Sequence, residues 1–254
     1  MDGFCLTHAC ERWGVRAQTR VDALRPPDEP REVLDPSEPV SIGAMVGPEA
    51  FTEVRYLAHA KQMQALELIP QIAAEFKQAF GRDSGGLVRP YRIEDAETVV
   101  VALGSLLGTI KDTVDQLRDE GHKIGVLGIN SFRPFPIPDI RDALEKTQRI
   151  VVVEKCFAVG IGGIVSRDVR MALRNRPQPV STVVAGLGGR AVTVASLRKM
   201  LLDAAADKLE PLTFLDLDWS IVNKQLERDR QKRRSGPIAE AVLRDIGVIA
   251  AKMV

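Results

Sequence analysis

Thr98-Val-Val-Val-Ala-Leu103, then Leu107, Ile110, Val114 and Leu117 at helical steps up to Gly121, then Lys123-Ile-Gly-Val-Leu-Gly-Ile129: this stretch decides the fold. The first run is almost wholly apolar, as a strand buried on both faces requires, and the four spaced apolar residues lie along one side of a helix. Strand, helix, strand is the repeating unit of a parallel sheet. The alternation continues outward. Pro138 suits the first turn of a helix carrying Ile140 and Leu144, and Arg149 to Val153 is a β-branched strand. A helical stretch follows Gly160, Gly162 and Gly163 as far as Leu173, and Val180 to Ala185 is a fourth strand. Thr193 then caps a helix through Leu197, Leu201 and Leu202. The predicted class is α/β, a parallel sheet with helices on both faces and right-handed crossovers, over about residues 90–206.

Upstream, six prolines (Pro26, Pro27, Pro30, Pro36, Pro39 and Pro48) fix φ and remove N–H donors, so an extended connector is expected there. From Phe51 to Phe80, Leu66, Ile69, Ile72, Ala73, Phe76 and Phe80 recur at three- and four-residue steps, predicting a long amphipathic helix that ends at Gly81. Pro70 lies inside it, and a kink or restart is expected there. Downstream, a charged helix runs through Glu227 to Arg234, Ser235-Gly-Pro237 breaks it, and Ile238 to Val254 forms a last amphipathic helix. The expected organisation is 1–50, a linking helix in 51–89, the α/β domain at 90–206 and a helical tail at 207–254.

The bulk numbers narrow the partners. The 35 Lys and Arg balance 34 Asp and Glu, so the net charge of +1 creates no whole-chain field to gather nucleic acid or anionic membrane. No apolar run approaches the roughly 18 residues of a membrane span. Three cysteines, Cys5, Cys10 and Cys156, are too few for a disulfide framework and point to a reducing, cytoplasmic setting.

Candidate chemistry is sparse. Val159-Gly-Ile-Gly-Gly163 and Gly186-Leu-Gly-Gly-Arg190 each follow a strand and precede a helix, where backbone N–H groups can hold phosphate. Neither completes G-x-G-x-x-G nor carries the lysine and hydroxyl of a P-loop, so tight structural turns are the better reading. Cys5, His8 and Cys10 have no fourth ligand nearby to complete a zinc site. Cys156 has no histidine close in sequence to activate it, and His59 and His122 stand alone. In the cluster from Arg228 to Arg234, Asp229 follows directly and Glu227 precedes, which marks a solvated helix face.

The most specific string is Gly125-Val-Leu-Gly-Ile-Asn-Ser-Phe-Arg-Pro-Phe-Pro136. It resembles the strand and loop of the alpha subunit of pyruvate and other 2-oxoacid:ferredoxin oxidoreductases, within the domain similar to the C-terminal domain of transketolase. Asp2-Gly-Phe-Cys-Leu-Thr-His8, Tyr91-Arg-Ile-Glu-Asp-Ala96 and Gly186-Leu-Gly-Gly-Arg190 resemble other family segments and occur in family order. The resemblance implies an enzyme that decarboxylates a 2-oxoacid on thiamine diphosphate, passes electrons through iron-sulfur clusters to ferredoxin and forms an acyl-coenzyme A. It implies thiamine-binding beta, gamma and iron-sulfur delta subunits as partners. Residues 1–50 are then expected to be a remnant of the preceding domain plus a connector. The family's cofactor-activating glutamate has no matching position, so no catalytic, cofactor or metal residue is assigned, and no cofactor is expected on this chain alone. Pro134 and Pro136 force an extended exit from the strand, making Arg133 and Phe135, with Gly188 and Arg190, the candidate interface residues. Two other readings are a nucleotide-binding domain using the glycine loops and a non-catalytic assembly module. Glu154-Lys-Cys156 departs from the family pattern.

Overall fold

The computed structural model describes residues 17–25, 29–30, 33–39, 43, 45–231 and 236–248. Cys5, His8, Cys10, the Asp2–His8 motif, much of the proline-rich connector, residues 232–235 and residues 249–254 of the stretch expected as a last helix lie outside them. The chain divides into two compact units, 1–213 and 214–254.

The first unit contains helix α1 (Gln18–Leu24), which packs on α2 (Phe51–Phe80), and then an α/β domain. Its strands are β1 (Val88–Tyr91), β2 (Thr98–Ala102), β3 (Ile124–Ile129), β4 (Arg149–Glu154), β5 (Phe157–Ala158), β6 (Gly162–Gly163), β7 (Val180–Val184) and β8 (Leu212–Phe214). The helices between them are α3 (Leu106–Asp119), α4 (Ile137–Ala143), α5 (Val165–Ala172) and α6 (Val194–Ala205). The sheet order is β1-β3-β2-β4-β7-β8, and β3, β2, β4 and β7 are mutually parallel. The four parallel strands are those anticipated from the sequence. An edge strand was not anticipated: β1 pairs antiparallel with β3, Val88 opposite Ile129 and Tyr91 opposite Val126. Pro90 there has no N–H to offer, which is tolerated only on an edge.

The strand side chains divide by the two-residue period of a strand. Val99, Val101, Leu127, Ile129, Ile150 and Val152 share one core cluster with Ile140 and Leu144 from α4 and its cap, and with Val165, Val169 and Ala172 of α5. Val100, Val126, Val151 and Val153 are also buried, and Gly128 on the same side faces Leu107 of α3, which packs with α6. Both faces are covered, so the strands between the edges are predominantly apolar, and the buried polar residues they carry, such as Thr182 and Glu154, are hydrogen-bonded.

Two local corrections follow from the environment of single residues. α2 runs unbroken for 30 residues through Pro70, without the restart expected there. Proline removes the N–H that would reach Leu66, but none of α2 is buried, and water can satisfy a carbonyl there. The Val159–Gly163 segment is not a loop entering a helix. It is the tip and return strand of a small antiparallel hairpin, β5 with β6.

The second unit is a helical pair, α7 (Trp219–Arg230) and α8 (Ile238–Asp245). Asp218 caps α7 by accepting from the Ser220 and Ile221 N–H groups. Asp245 joins the two helices, accepting from Lys224 Nζ at 2.7 Å, Gln225 Nε2 at 2.6 Å and Arg228 Nη1 at 2.8 Å. The Lys224 hydrogen bond first, and Arg228 with it, holds the Asp245 carboxyl below its ordinary value of 3.8. A carboxyl with a depressed folded-state pKa stabilises the fold above its unfolded value and stops doing so as pH falls through the folded one. Amide protection in α7 and α8 is therefore expected to fall as pH drops below about 4. Asp245→Asn should flatten that dependence in a hydrogen-exchange pH series; an unchanged slope would locate the acid sensitivity elsewhere.

Candidate functional site

The parallel strands deliver their following loops to one carboxyl edge. β2 leads to β3 on one side, while β4 lies on the other, so the switch in strand order lies between β2 and β4. The loop after β3 is tied down. The Asn130 side-chain amide donates to the carbonyls of Ser84 at 3.1 Å and Gly86 at 3.3 Å, and Ser131 Oγ donates to the Pro134 carbonyl at 2.7 Å. The Arg133–Pro134 peptide is cis.

Arg133 is half exposed, and its guanidinium bends back over its own loop. It donates to the Phe132 carbonyl at 2.6 Å and to Asp168 Oδ2, on the first turn of α5, at 2.8 Å, and stacks 4.1 Å above the Phe132 ring. Phe135 was expected beside it on the surface and is instead inside the core cluster, 8% exposed. The extended backbone that follows Pro134 turns the ring inward, where its apolar area is removed from water. Phe135 is thus a core residue of this chain, not the exposed ring expected from the sequence.

Gly188 and Arg190 are exposed on the loop after β7. Gly186, Gly188 and Gly189 take φ values of +72°, +63° and +85° there, which only glycine adopts freely. β7 lies three strand spacings from β3, on the order of 14 Å away, so the structure puts Arg133 and Arg190 on one edge without bringing them together.

The residue that organises this edge is one that the sequence marked only as part of a departure from the family pattern. Glu154 ends β4, is 4% exposed, and spends its carboxylate on the N-terminus of α5. Oε2 accepts from the Ile164 and Val165 N–H groups, both at 2.8 Å, and Oε1 from Ser166 N–H at 2.9 Å. These N–H groups and the positive end of α5 are what a bound phosphate would use. Arg170 adds compensation: burial lowers its pKa, and the Glu154 carboxylate pulls the other way. Gly163 is required because a Cβ there would collide with Glu154 Oε1 and lie 2.6 Å from Ser166 Oγ. The clue in the sequence is a lone glutamate closing an apolar strand just before a Gly-Gly pair and a helix.

The second glycine loop offers no open helix end either. It closes as a 3₁₀ turn, Leu187–Gly189, and α6 begins later, capped by Thr193 Oγ1 accepting from Ser196 N–H at 3.1 Å. The remaining candidates scatter. Cys156 is an exposed free thiol, and His59 lies exposed on α2. His122 lines a polar cavity of about 220 Å³ with Glu97, Lys123 and Arg149, at the opposite, amino edge of the sheet. Arg228 and Arg230 are paired with Asp245 and Glu227, as a solvated helix face would have them. Among the described residues, no three His, Cys, Asp or Glu side chains converge to hold a metal ion, and no helix is long and apolar enough to cross a membrane. At the start of α5 the pyrophosphate of thiamine diphosphate would find no cradle, since Glu154 already occupies the N–H groups there.

The residues of this edge fall within a recognised protein module: positions 96–197 match the family model for pyruvate:ferredoxin oxidoreductase core domain II. Pyruvate synthase subunit PorA of Methanosarcina barkeri is 40% identical over 204 residues, 79% of this chain and 51% of the relative. PorA of Pyrococcus abyssi is 37% identical over 228 residues, 89% and 58%. Ketoisovalerate oxidoreductase subunit VorA of Pyrococcus horikoshii is 35% identical over 204 residues, 79% and 52%. Residues 96–197 thus carry this oxidoreductase core domain, the chain is similar to the PorA and VorA subunits of 2-oxoacid oxidoreductases, and it spans about half the length of the curated relatives it matches. A 2-oxoglutarate:ferredoxin oxidoreductase structure from Magnetococcus marinus overlaps it with a TM-score of 0.39 at 17% identity, covering 55% of this chain and 23% of the other. So loose an overlap adds nothing to the topology described above.

Proposed function

We propose that this chain is the structural and subunit-docking part of a thiamine diphosphate-dependent, pyruvate synthase-like oxidoreductase. The complex would decarboxylate a 2-oxoacid oxidatively to an acyl-coenzyme A and deliver the electrons through iron-sulfur clusters to ferredoxin. Thiamine diphosphate, when bound in such a complex, stabilises the carbanion left by decarboxylation. In this reading the thiamine-binding beta, gamma and iron-sulfur delta subunits hold the cofactors, and this cytoplasmic chain holds the assembly in register.

The observation that carries the reading is Glu154. A domain of this topology takes an anionic ligand at the helix N-termini of its carboxyl edge, and here the protein's own buried carboxylate has satisfied that site. The same observation weighs against the nucleotide-binding alternative. The test is reconstitution with the companion subunits and an assay of pyruvate- and coenzyme A-dependent reduction of a viologen dye. Activity is expected only when this chain and a thiamine-binding subunit are both present. Full activity of the companions without it, or saturable micromolar binding of NAD or ATP to the isolated chain, would overturn the proposal.

A further inference from the structure

Helix α2 carries a second apolar seam, which this chain leaves uncovered. Its half-buried residues Leu66, Ile69, Ala73 and Phe76 lie along one side. The adjoining side repeats every seven residues: one row is Ala58, Ala65, Ile72 and Ala79, and the other, four residues earlier, is Val54, Lys61, Leu68 and Glu75. Two interleaved rows of this period form the strip along which one helix packs lengthwise on another. Val54, Leu68 and Ile72 are 45%, 52% and 55% exposed. The helix is about 45 Å long, and none of its residues is buried. Pro70 falls on the side of the helix away from both rows, where its ring would not obstruct a second helix.

Two charges stand in the second row, and their positions select the orientation of a partner. Lys61 lies seven residues before Leu68, and Glu75 lies seven after it. Among the described residues, Lys61 Nζ bonds only the Gln64 side chain of its own helix, at 3.3 Å, and Glu75 has no hydrogen-bond or ion-pair partner. A parallel copy of the helix would set Lys61 against Lys61 and Glu75 against Glu75, and like charges side by side repel. An antiparallel copy centred near Leu68 brings Lys61 of each helix within a turn of Glu75 of the other. One two-fold axis then neutralises all four charges. Leu68 and Ile72 fill the middle of such a pair, and the small side chains of Ala58, Ala65 and Ala79 let the helix axes come close.

We infer that α2 is a dimerisation helix, and that its Val54–Lys61–Leu68–Glu75 seam pairs antiparallel with the same seam of a second copy of this chain. A purely apolar strip would accept any amphipathic helix. Opposite charges placed at equal distances from Leu68 favour the same sequence run in reverse, because every other register or direction leaves Lys61 and Glu75 without partners at the seam. The contact is isologous, so it closes at two copies. This goes beyond the subunit role proposed above and does not depend on it.

The test is sedimentation equilibrium of the full chain from about 1 to 200 µM, in low and in high salt. The wild type should shift from one copy to two as concentration rises. Leu68→Asp should weaken self-association by about 50-fold or more, while its circular dichroism melt in dilute solution stays that of the wild-type monomer. Met63→Asp, on the side of Pro70, should dimerise like the wild type. Lys61→Glu and Glu75→Lys should each weaken the dimer by about 10-fold at low salt, and the double exchange should restore it, since an antiparallel pair only swaps which helix carries which charge. A parallel pair would not respond in this way, so single variants that change nothing, or a double variant without rescue, would overturn the antiparallel seam. A wild type that stays monomeric throughout, or a Leu68→Asp chain that dimerises normally, would overturn the dimer itself. If the wild type is monomeric alone but binds the thiamine diphosphate-binding subunit, and Leu68→Asp abolishes that binding, self-pairing is rejected and the seam belongs to that subunit.

Discussion

Glu154→Ala is expected to lower stability by about 3–5 kcal/mol, because three backbone N–H groups at the buried start of α5 would lose the charged acceptor that satisfies them. For a domain of this size that is a fall in melting temperature of roughly 6–20 °C by calorimetry. Glu154→Gln should recover little. The two carboxylate oxygens serve three N–H donors, and an amide replaces one oxygen with an NH2 group facing the same donors. A loss under about 1 kcal/mol for the alanine variant would mean that water restores the cap, and with it the open anion site that the proposed function excludes.

The second large effect is expected at Gly125→Ala. A Cβ there would lie 2.6 Å from the Arg92 carbonyl oxygen, 2.9 Å from Ala96 Cβ and 3.0 Å from Ile93 Cα. Two of these three contacts are backbone atoms of a segment that cannot step aside. The Arg118 side chain clamps it, donating to the Arg92 carbonyl at 2.6 Å, to Asp95 Oδ1 at 2.7 Å and to the Ile124 carbonyl at 2.6 Å. We expect a cost of about 3 kcal/mol or more, the upper range for overpacking a tight core, seen as a lower urea midpoint with the slope preserved. The geometry also explains a pairing in the sequence. The Tyr91–Ala96 and Gly125–Pro136 strings, each similar to the oxidoreductase family, lie one on top of the other, and the glycine of the second is the space occupied by the first.

Much of the framework was legible residue by residue. Val99 to Ala102, Ile124 to Ile129, Ile150 to Val153 and Val180 to Val184 read as buried parallel strands because a sheet covered on both sides leaves few positions for a polar side chain, and the buried Thr182 hydroxyl among them is met by Arg170 Nη2 at 3.0 Å. Thr193 was legible as a cap because its hydroxyl reaches an N–H three residues on, a purely local bond. Phe135 misled for the opposite reason. Its place in the core depends on how the loop after β3 folds over α4 and α5, and no local pattern encodes that.

By itself the sequence determined what depends on neighbours along the chain: the period-two and period-3.6 apolar patterns, the helix caps, the glycine turns, and the ordered motifs that mark the 2-oxoacid:ferredoxin oxidoreductase family. Only the tertiary structure decided what depends on pairs distant in sequence. It placed Glu154 across 10 to 12 residues onto the start of α5, the Arg92–Ala96 segment over Gly125, and Arg133 on Asp168. It also left Val159 and Ile161 uncovered at the tip of the β5–β6 hairpin. Satisfaction of a buried polar group, or the absence of cover over an apolar one, is a property of three-dimensional surroundings, and a string of residue types carries no record of them until the chain has folded.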